Sequence, residues 1–296
     1  MTGALGPGWR VGHWTDADAA TGCTVVLPPV PNVTSCDVRG SSPSSRELDL
    51  LHLERRLTEV HAIVLTGGSA FGLAAADGVV AWLEERGIGY RTRNALVPIV
   101  PAAVIYDLGH GGSDVRPRAE HGRSASEAAV EGPVPTGRVG AGAGATAGKW
   151  AGFEHAVAGG LGIATIGSHR AFVSALAVVN PVGDVIAPDG SVLAGTTAPD
   201  PLPRAPLPDD SELPTSTVLA VVATDAQLDK RDVRWLAARG ADGVTTSVRP
   251  AHTRYDGDVV FAVSAGATEL RAPELDALGR AATEAVAAAV RAAVAD

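Results

Sequence analysis

Three observations predict a globular chain of mixed strands and helices, α/β or α+β in class. Hydrophobic residues fill 46% of the 296 positions and charged residues only 19%, ample for a sizeable core. Apolar runs such as "HAIVLTGG" (61–68) and "TVLAVVATDA" (217–226) read as buried strands. Between such runs lie segments whose apolar residues recur at helical spacing. Aromatic residues are scarce (4%) and glycines abundant (35), so Val, Leu, Ile and Ala must build the core, with backbones in close approach.

Taken in order, "CTVVLPP" (23–29) is a short strand, and the strand at 61–68 ends in a glycine turn. In "SAFGLAAADGVVAWLEERGIG" (69–89) Ser69 can cap a helix that Gly87 or Gly89 closes. "VPIVPAAVIYDLG" (97–109) is an apolar strand with proline at its edges, ending at Tyr106 and Asp107. The run "GRVGAGAGATAGKWAG" (137–152) is too rich in glycine for an ordinary helix and too apolar for a linker, which leaves a tight loop. Strands follow, separated by turn signals at Val182-Gly183-Asp184 and Pro188-Asp189-Gly190.

From Thr196 to Ser216 six prolines and several acidic residues, without periodicity, predict an exposed and mobile linker. Beyond it come a strand (217–226), the helix "QLDKRDVRWLAARGADGV", the strand "DGDVVFAVSAG" and a closing helix over "PELDALGRAATEAVAAAVRAAVA". These last 80 residues are too few to stand alone, so the expectation is one domain over 1–296.

A formal charge of -9 without any basic run opposes nucleic-acid binding. The start lacks a basic region followed by an apolar one, and nowhere do eighteen apolar residues run together, so neither export nor a membrane is signalled. A cytoplasmic location is expected. The two cysteines, Cys23 and Cys36, lack nearby histidine at ligand spacing and read as buried thiols. "GAGAGA" (140–145) matches a loose dinucleotide fingerprint, but no suitable strand leads into it and no acidic residue is clearly placed about 20 positions on.

The hydroxyl cluster Thr215, Ser216 and Thr217 stands where the proline-rich run meets a buried strand. A hydroxyl is a poor nucleophile unless a base lies within hydrogen-bond reach. Cleavage of the preceding peptide bond supplies one, because the new α-amine has a reference pKa of about 7.7 to 8.0 and sits beside the hydroxyl. The hydroxyl can make that cut itself, by attacking the preceding carbonyl to form an ester that water resolves. A polar strand start in a turn-rich region is the commoner use of such residues, and the run taken alone also fits it.

Several long motifs occur together and in order over Val11 to Gly266: "VGHWTDADAATGCTVVLPP", "AIVLTGGSAFGLAAADGVVAWLEERGIG", "VPIVPAAVIYDL", "GAGAGATAGKW", "ALAVVN", "VLAVVATDA" and "HTRYDGDVVFAVSAG". With them the chain resembles the DmpA-type family of self-processing hydrolases, which holds L-aminopeptidase/D-esterases, β-peptidyl aminopeptidases and the nylon-oligomer hydrolase NylC. The resemblance implies an αββα four-layer sandwich, also found in ornithine acetyltransferases, that cuts itself into a large and a small subunit. The nucleophile position falls on Thr217. A cut after Ser216 would leave 1–216 and 217–296, pieces of about 22 and about 8 kDa from the 29.9 kDa chain.

The resemblance also assigns Lys149 as the active-site lysine, Asn180 as an oxyanion donor, Asp256 and Asp258 as the acidic pair that orients the nucleophile and shuttles protons, and Tyr106 as a pocket residue. It implies no metal or organic cofactor, a small peptide or peptide-like amide as substrate, and a homotetramer. Ser216 departs from the Asn or Gly more often found before the cut in this family, which leaves Thr215, Ser216 and Thr217 as possible cut sites. Acyl transfer to an amine, as in ornithine acetyltransferases, and an uncleaved binding protein are the competing readings.

Overall fold

The computed structural model describes residues 1–109, 112–168, 170–199 and 215–295. Strands β1 (Arg10–Asp16) and β2 (Thr21–Leu27) form a hairpin, followed by β3 (Val33–Val38), the short β4 (Ser45–Arg46), β5 (Ile63–Thr66) and helix α1 (Ala75–Glu84). Then come β6 (Ala102–Val104), α2 (Ala119–Glu127), β7 (Val130–Glu131) and the long hairpin of β8 (Gly160–Ser168) and β9 (Ala171–Asn180). A small hairpin pairs β10 (Asp184–Ile186) with β11 (Val192–Ala194). The C-terminal part consists of β12 (Thr217–Ala226), α3 (Lys230–Ser247), β13 (Val248–Arg249), β14 (Val259–Thr268) and α4 (Ala272–Ala292).

Two sheets carry the fold. The first runs β7-β1-β2-β5-β6-β4, and the second runs β8-β9-β12-β14-β3. Each holds one parallel pair joined through a helix: β5 with β6 through α1, and β12 with β14 through α3. Side chains alternate across a strand, so a strand buried on both faces feeds two cores. Along β12, Val218, Ala220 and Val222 pack toward Leu236, Val244, Leu278 and Val286 of α3 and α4. Leu219 and Val221 point the other way, to meet Ile63 and Leu65 of the first sheet. On that sheet's far face Val25 and Val64 pack against Val79 and Trp82 of α1. Helices, sheet, sheet and helices are thus stacked as an αββα sandwich, each buried Val or Leu contributing about 1.5–3 kcal/mol.

Glycine permits the tight layering. A Cβ on Gly162 of β8 would lie 2.1 Å from the carbonyl oxygen of Ala289 in α4, and one on Gly12 of β1 would lie 2.0 Å from that of Ala125 in α2.

Local differences from the sequence reading have local causes. Ser69 does not cap a helix: it sits at φ 54°, after Gly68 at φ 79°, and opens a 3-10 turn (Ser69–Ala74) that leads into α1. The strand expected over 97–109 keeps its pairing only at Ala102–Val104 and, in a separate two-residue ladder, Leu96–Val97, because Pro98 and Pro101 have no N–H to donate. Most of the expected linker, residues 200–214, lies outside the described residues. Its described ends are hydrogen-bonded: Thr197 N–H donates to the His155 carbonyl at 2.9 Å and Ser216 N–H to that of Tyr255 at 3.3 Å. Cys23 and Cys36 are both buried and unpaired.

Candidate active site

Thr217 opens β12, and alternation with Leu219 and Val221 turns its side chain into the space between the sheets. Its partner in the sheet is Asn180, the last residue of β9. On the opposite edge of β12 the loop ahead of β14 brings Asp256 alongside Ser216 in a parallel bridge. The Ser216 carbonyl accepts a hydrogen bond from Gly257 N–H at 3.0 Å and another from the Thr217 hydroxyl. With Ser216 and Thr217 only 3% and 5% exposed, the junction is part of the core rather than a surface turn. The Ser216 hydroxyl is buried there without a partner among the described residues.

Lys149 enters from the glycine loop. Gly148, at φ 73°, takes the left-handed turn before it, a conformation that glycine adopts without strain. Although 1% exposed, the ammonium is well provided with acceptors: the Asn180 side-chain oxygen at 2.8 Å, the Asn180 carbonyl at 3.0 Å, and the carbonyl and hydroxyl of Thr146, each at 3.1 Å. Burial pulls its pKa down to about 7, opposed by the negative charge of Asp256. The same Asn180 oxygen accepts from Thr146 N–H at 2.9 Å, which fixes the amide with its nitrogen toward the Tyr106 carbonyl, 3.3 Å away.

The two aspartates have separate duties. Asp256 accepts from the amide and hydroxyl of Thr253, at 2.8 and 2.6 Å, and from Val182 N–H at 3.3 Å, which locks the loop to the turn after β9. Asp258 accepts from Val218 N–H at 2.6 Å, so it holds the peptide that follows Thr217. Its other oxygen stands 2.6 Å from Nδ1 of His252. Burial pushes the Asp258 carboxyl above the ordinary carboxylate range, against the hydrogen bond from His252. Burial works to lower His252, but the hydrogen bond and charge of Asp258 prevail and raise it.

Of the residues singled out in the sequence, Thr217, Ser216, Lys149, Asn180, Asp256 and Asp258 meet in one hydrogen-bonded cluster at the end of β12. Tyr106, a residue 36% exposed, joins it through its main-chain carbonyl. Thr146, His252 and Thr253 belong to the cluster and were missed, although all three lie inside motifs quoted above. Among the described residues no three His, Cys, Asp or Glu side chains are grouped as a metal ion would require.

A family model described as Peptidase family S58 matches residues 7–296. The chain belongs to peptidase family S58. Among curated relatives, the S58 chain is 41% identical over 283 residues to the uncharacterized aminopeptidase Rv1333 of Mycobacterium tuberculosis, covering 88% of this chain and 80% of that one. It is 32% identical over 276 residues to the 6-aminohexanoate-oligomer endohydrolase of a Kocuria species, covering 89% and 75%. Among solved structures, the L-aminopeptidase D-Ala-esterase/amidase of Ochrobactrum anthropi superposes with a TM-score of 0.75 at 20% identity, over 99% of this chain and 87% of that one. A Burkholderia β-aminopeptidase gives 0.73 at 23% identity, over 97% and 84%. These two establish the fold alone, the αββα sandwich described above; family membership makes the S58 chain a peptidase or amidase.

Proposed function

We propose that this S58 peptidase cuts itself between Ser216 and Thr217 and then hydrolyses amide bonds of small peptides or peptide-like amides with Thr217 as nucleophile. The observation that carries this reading is the surroundings of one bond. The Ser216–Thr217 peptide is buried, its carbonyl is polarised by Gly257 N–H, the attacking hydroxyl lies against that carbonyl, and a buried lysine and asparagine stand beside it.

In the first step the Thr217 Oγ1 forms a bond to the Ser216 carbonyl carbon, and the carbon–nitrogen bond to Thr217 breaks. Its proton passes to the departing nitrogen. Water then cleaves the ester, leaving a carboxylate on Ser216 and a free amine and hydroxyl on Thr217. In turnover, that amine takes the Oγ1 proton as oxygen attacks the substrate carbonyl. Asn180 Nδ2 serves as oxyanion donor, in place of its present contact with the Tyr106 carbonyl. The proton goes to the leaving amine, and water resolves the acyl-enzyme. Lys149, when protonated, favours the neutral amine and the forming alkoxide. Asp258 holds the peptide at Val218, and Asp256 the loop that carries it.

Intact mass and N-terminal sequencing test the cut: pieces of about 22 and about 8 kDa, the smaller beginning at Thr217, are expected from the wild type. Thr217→Ala should stay whole and inert, while Thr217→Ser retains both activities. A wild-type chain that remains uncut and inactive on peptide amides overturns the reading. A homotetramer is part of the proposal and is tested by light scattering.

A further inference from the structure

The contact between His252 and Asp258 joins the nucleophile's strand to helix α3. The imidazole is largely buried, its side chain 14% exposed, and both ring nitrogens are engaged. Nε2 lies 3.2 Å from the Ala241 carbonyl of α3; a carbonyl can only accept, so Nε2 carries a hydrogen. Nδ1 faces the Asp258 carboxylate at 2.6 Å and, with Nε2 already a donor, donates to it as the imidazolium, the form the carboxylate's charge favours; the other oxygen of that carboxylate accepts from Val218 N–H. A continuous line of hydrogen bonds thus runs from the α3 backbone through His252 and Asp258 to the peptide immediately after Thr217.

His252 takes up this position at φ 53°, a left-handed conformation that is uncommon outside glycine, although His, Asn and Asp adopt it more often than other side chains do. Its backbone strain is explained if the ring is required at that spot. Asp258 is 2% exposed and lies close to the negative charge of Asp256, so without a donor on that side its carboxylate would have little to hold it in line with Val218. Among the described residues the other charged group acting on the imidazole is Arg39, which is itself tied to Asp37 and Asp242.

We propose that His252 is a positioning residue: by donating to Asp258 from a fixed point on α3, it sets the orientation of the Val218 peptide and so of the Thr217 hydroxyl and amine. This rests on the reading of Thr217 as the nucleophile. It differs from a packing role in what must be conserved, namely a donor at the place of Nδ1 rather than ring volume. The side-chain nitrogen of Asn occupies nearly the place of Nδ1 and, like Asp, Asn tolerates a positive φ.

The test is a set of four proteins: wild type, His252→Gly, His252→Asn and His252→Asp, each followed for the rate of self-cleavage and for kcat and KM on an alanine anilide. His252→Gly, which relieves the strain but removes the donor, should slow cleavage and lower kcat at least tenfold with KM within threefold. His252→Asn should recover most of the rate. His252→Asp, equal in size to Asn but an acceptor, should be as slow as Gly or slower. Equal rates for Asn and Asp, or a folded His252→Gly that matches wild type, overturn the proposal; should the glycine variant fail to fold, the Asn and Asp pair decides alone. A wild type that neither cuts nor hydrolyses would instead overturn the reading of Thr217, a separate and visible outcome.

Discussion

Lys149 shows how much chemistry one side chain carries here. Its folded pKa of about 7 lies below the ordinary lysine value of 10.5. Between those values the unfolded chain holds the proton and the folded chain does not, so stability rises with pH across that window, while below 7 the full cost of burying the ammonium is present. In an uncut Thr217→Ala background, the stability of the lysine form relative to Lys149→Met should therefore increase from pH 7 to pH 9.5, by a few kcal/mol on the order of the shift. Urea unfolding at the two pH values measures it, and a flat difference contradicts it. For Asn180, replacement by Ala should lower kcat about 10²- to 10³-fold, as loss of an oxyanion donor does, with KM little changed in steady-state assays. At this scale the sequence displayed the polar residues but not their pairings. His252 reads as an isolated histidine until Ala241 of α3, eleven residues earlier, is found against it, and Thr146 as one small residue in a glycine loop.

Among the elements, legibility followed burial. The strand at 217–226 was readable to the residue because it is apolar on both faces and bounded by the proline-rich run on one side and by Asp229 on the other. The helix after it begins at Lys230, later than the sequence suggested, since the Asp229 side chain accepts from Asp232 N–H and caps it. The turn at Ser69 was misread because a serine before an apolar run is an ordinary cap signal, whereas here the preceding glycines and the pairing of Ser69 N–H with the Ile105 carbonyl set the backbone. Glycine richness announced close approach without saying where. Gly162→Val should push β8 from α4, costing about 1–3 kcal/mol, the usual range for overpacking, as read from the urea midpoint; an unchanged midpoint would mean that the two backbones part easily.

For the whole molecule, the four-layer order came from resemblance rather than from periodicity, because strand and helix patterns do not say which sheet a strand joins. In the five-stranded sheet β12 lies between β9 and β14, with eight residue pairs registered to the former. The cut proposed before its first residue would therefore leave both pieces in one sheet. The fragments should elute together on size exclusion at neutral pH and separate only in denaturant; separation under native conditions would contradict this architecture.

The placement of β12 also orders events in time. Lys149, Asn180 and Asp258 come from three distant parts of the sequence and converge on Thr217 only when the sheet has closed around it. The proposed scission would then be a receipt for completed folding: an uncut band on a gel would count molecules that have not arrived, and a folding defect anywhere in the sandwich would be legible at this one bond.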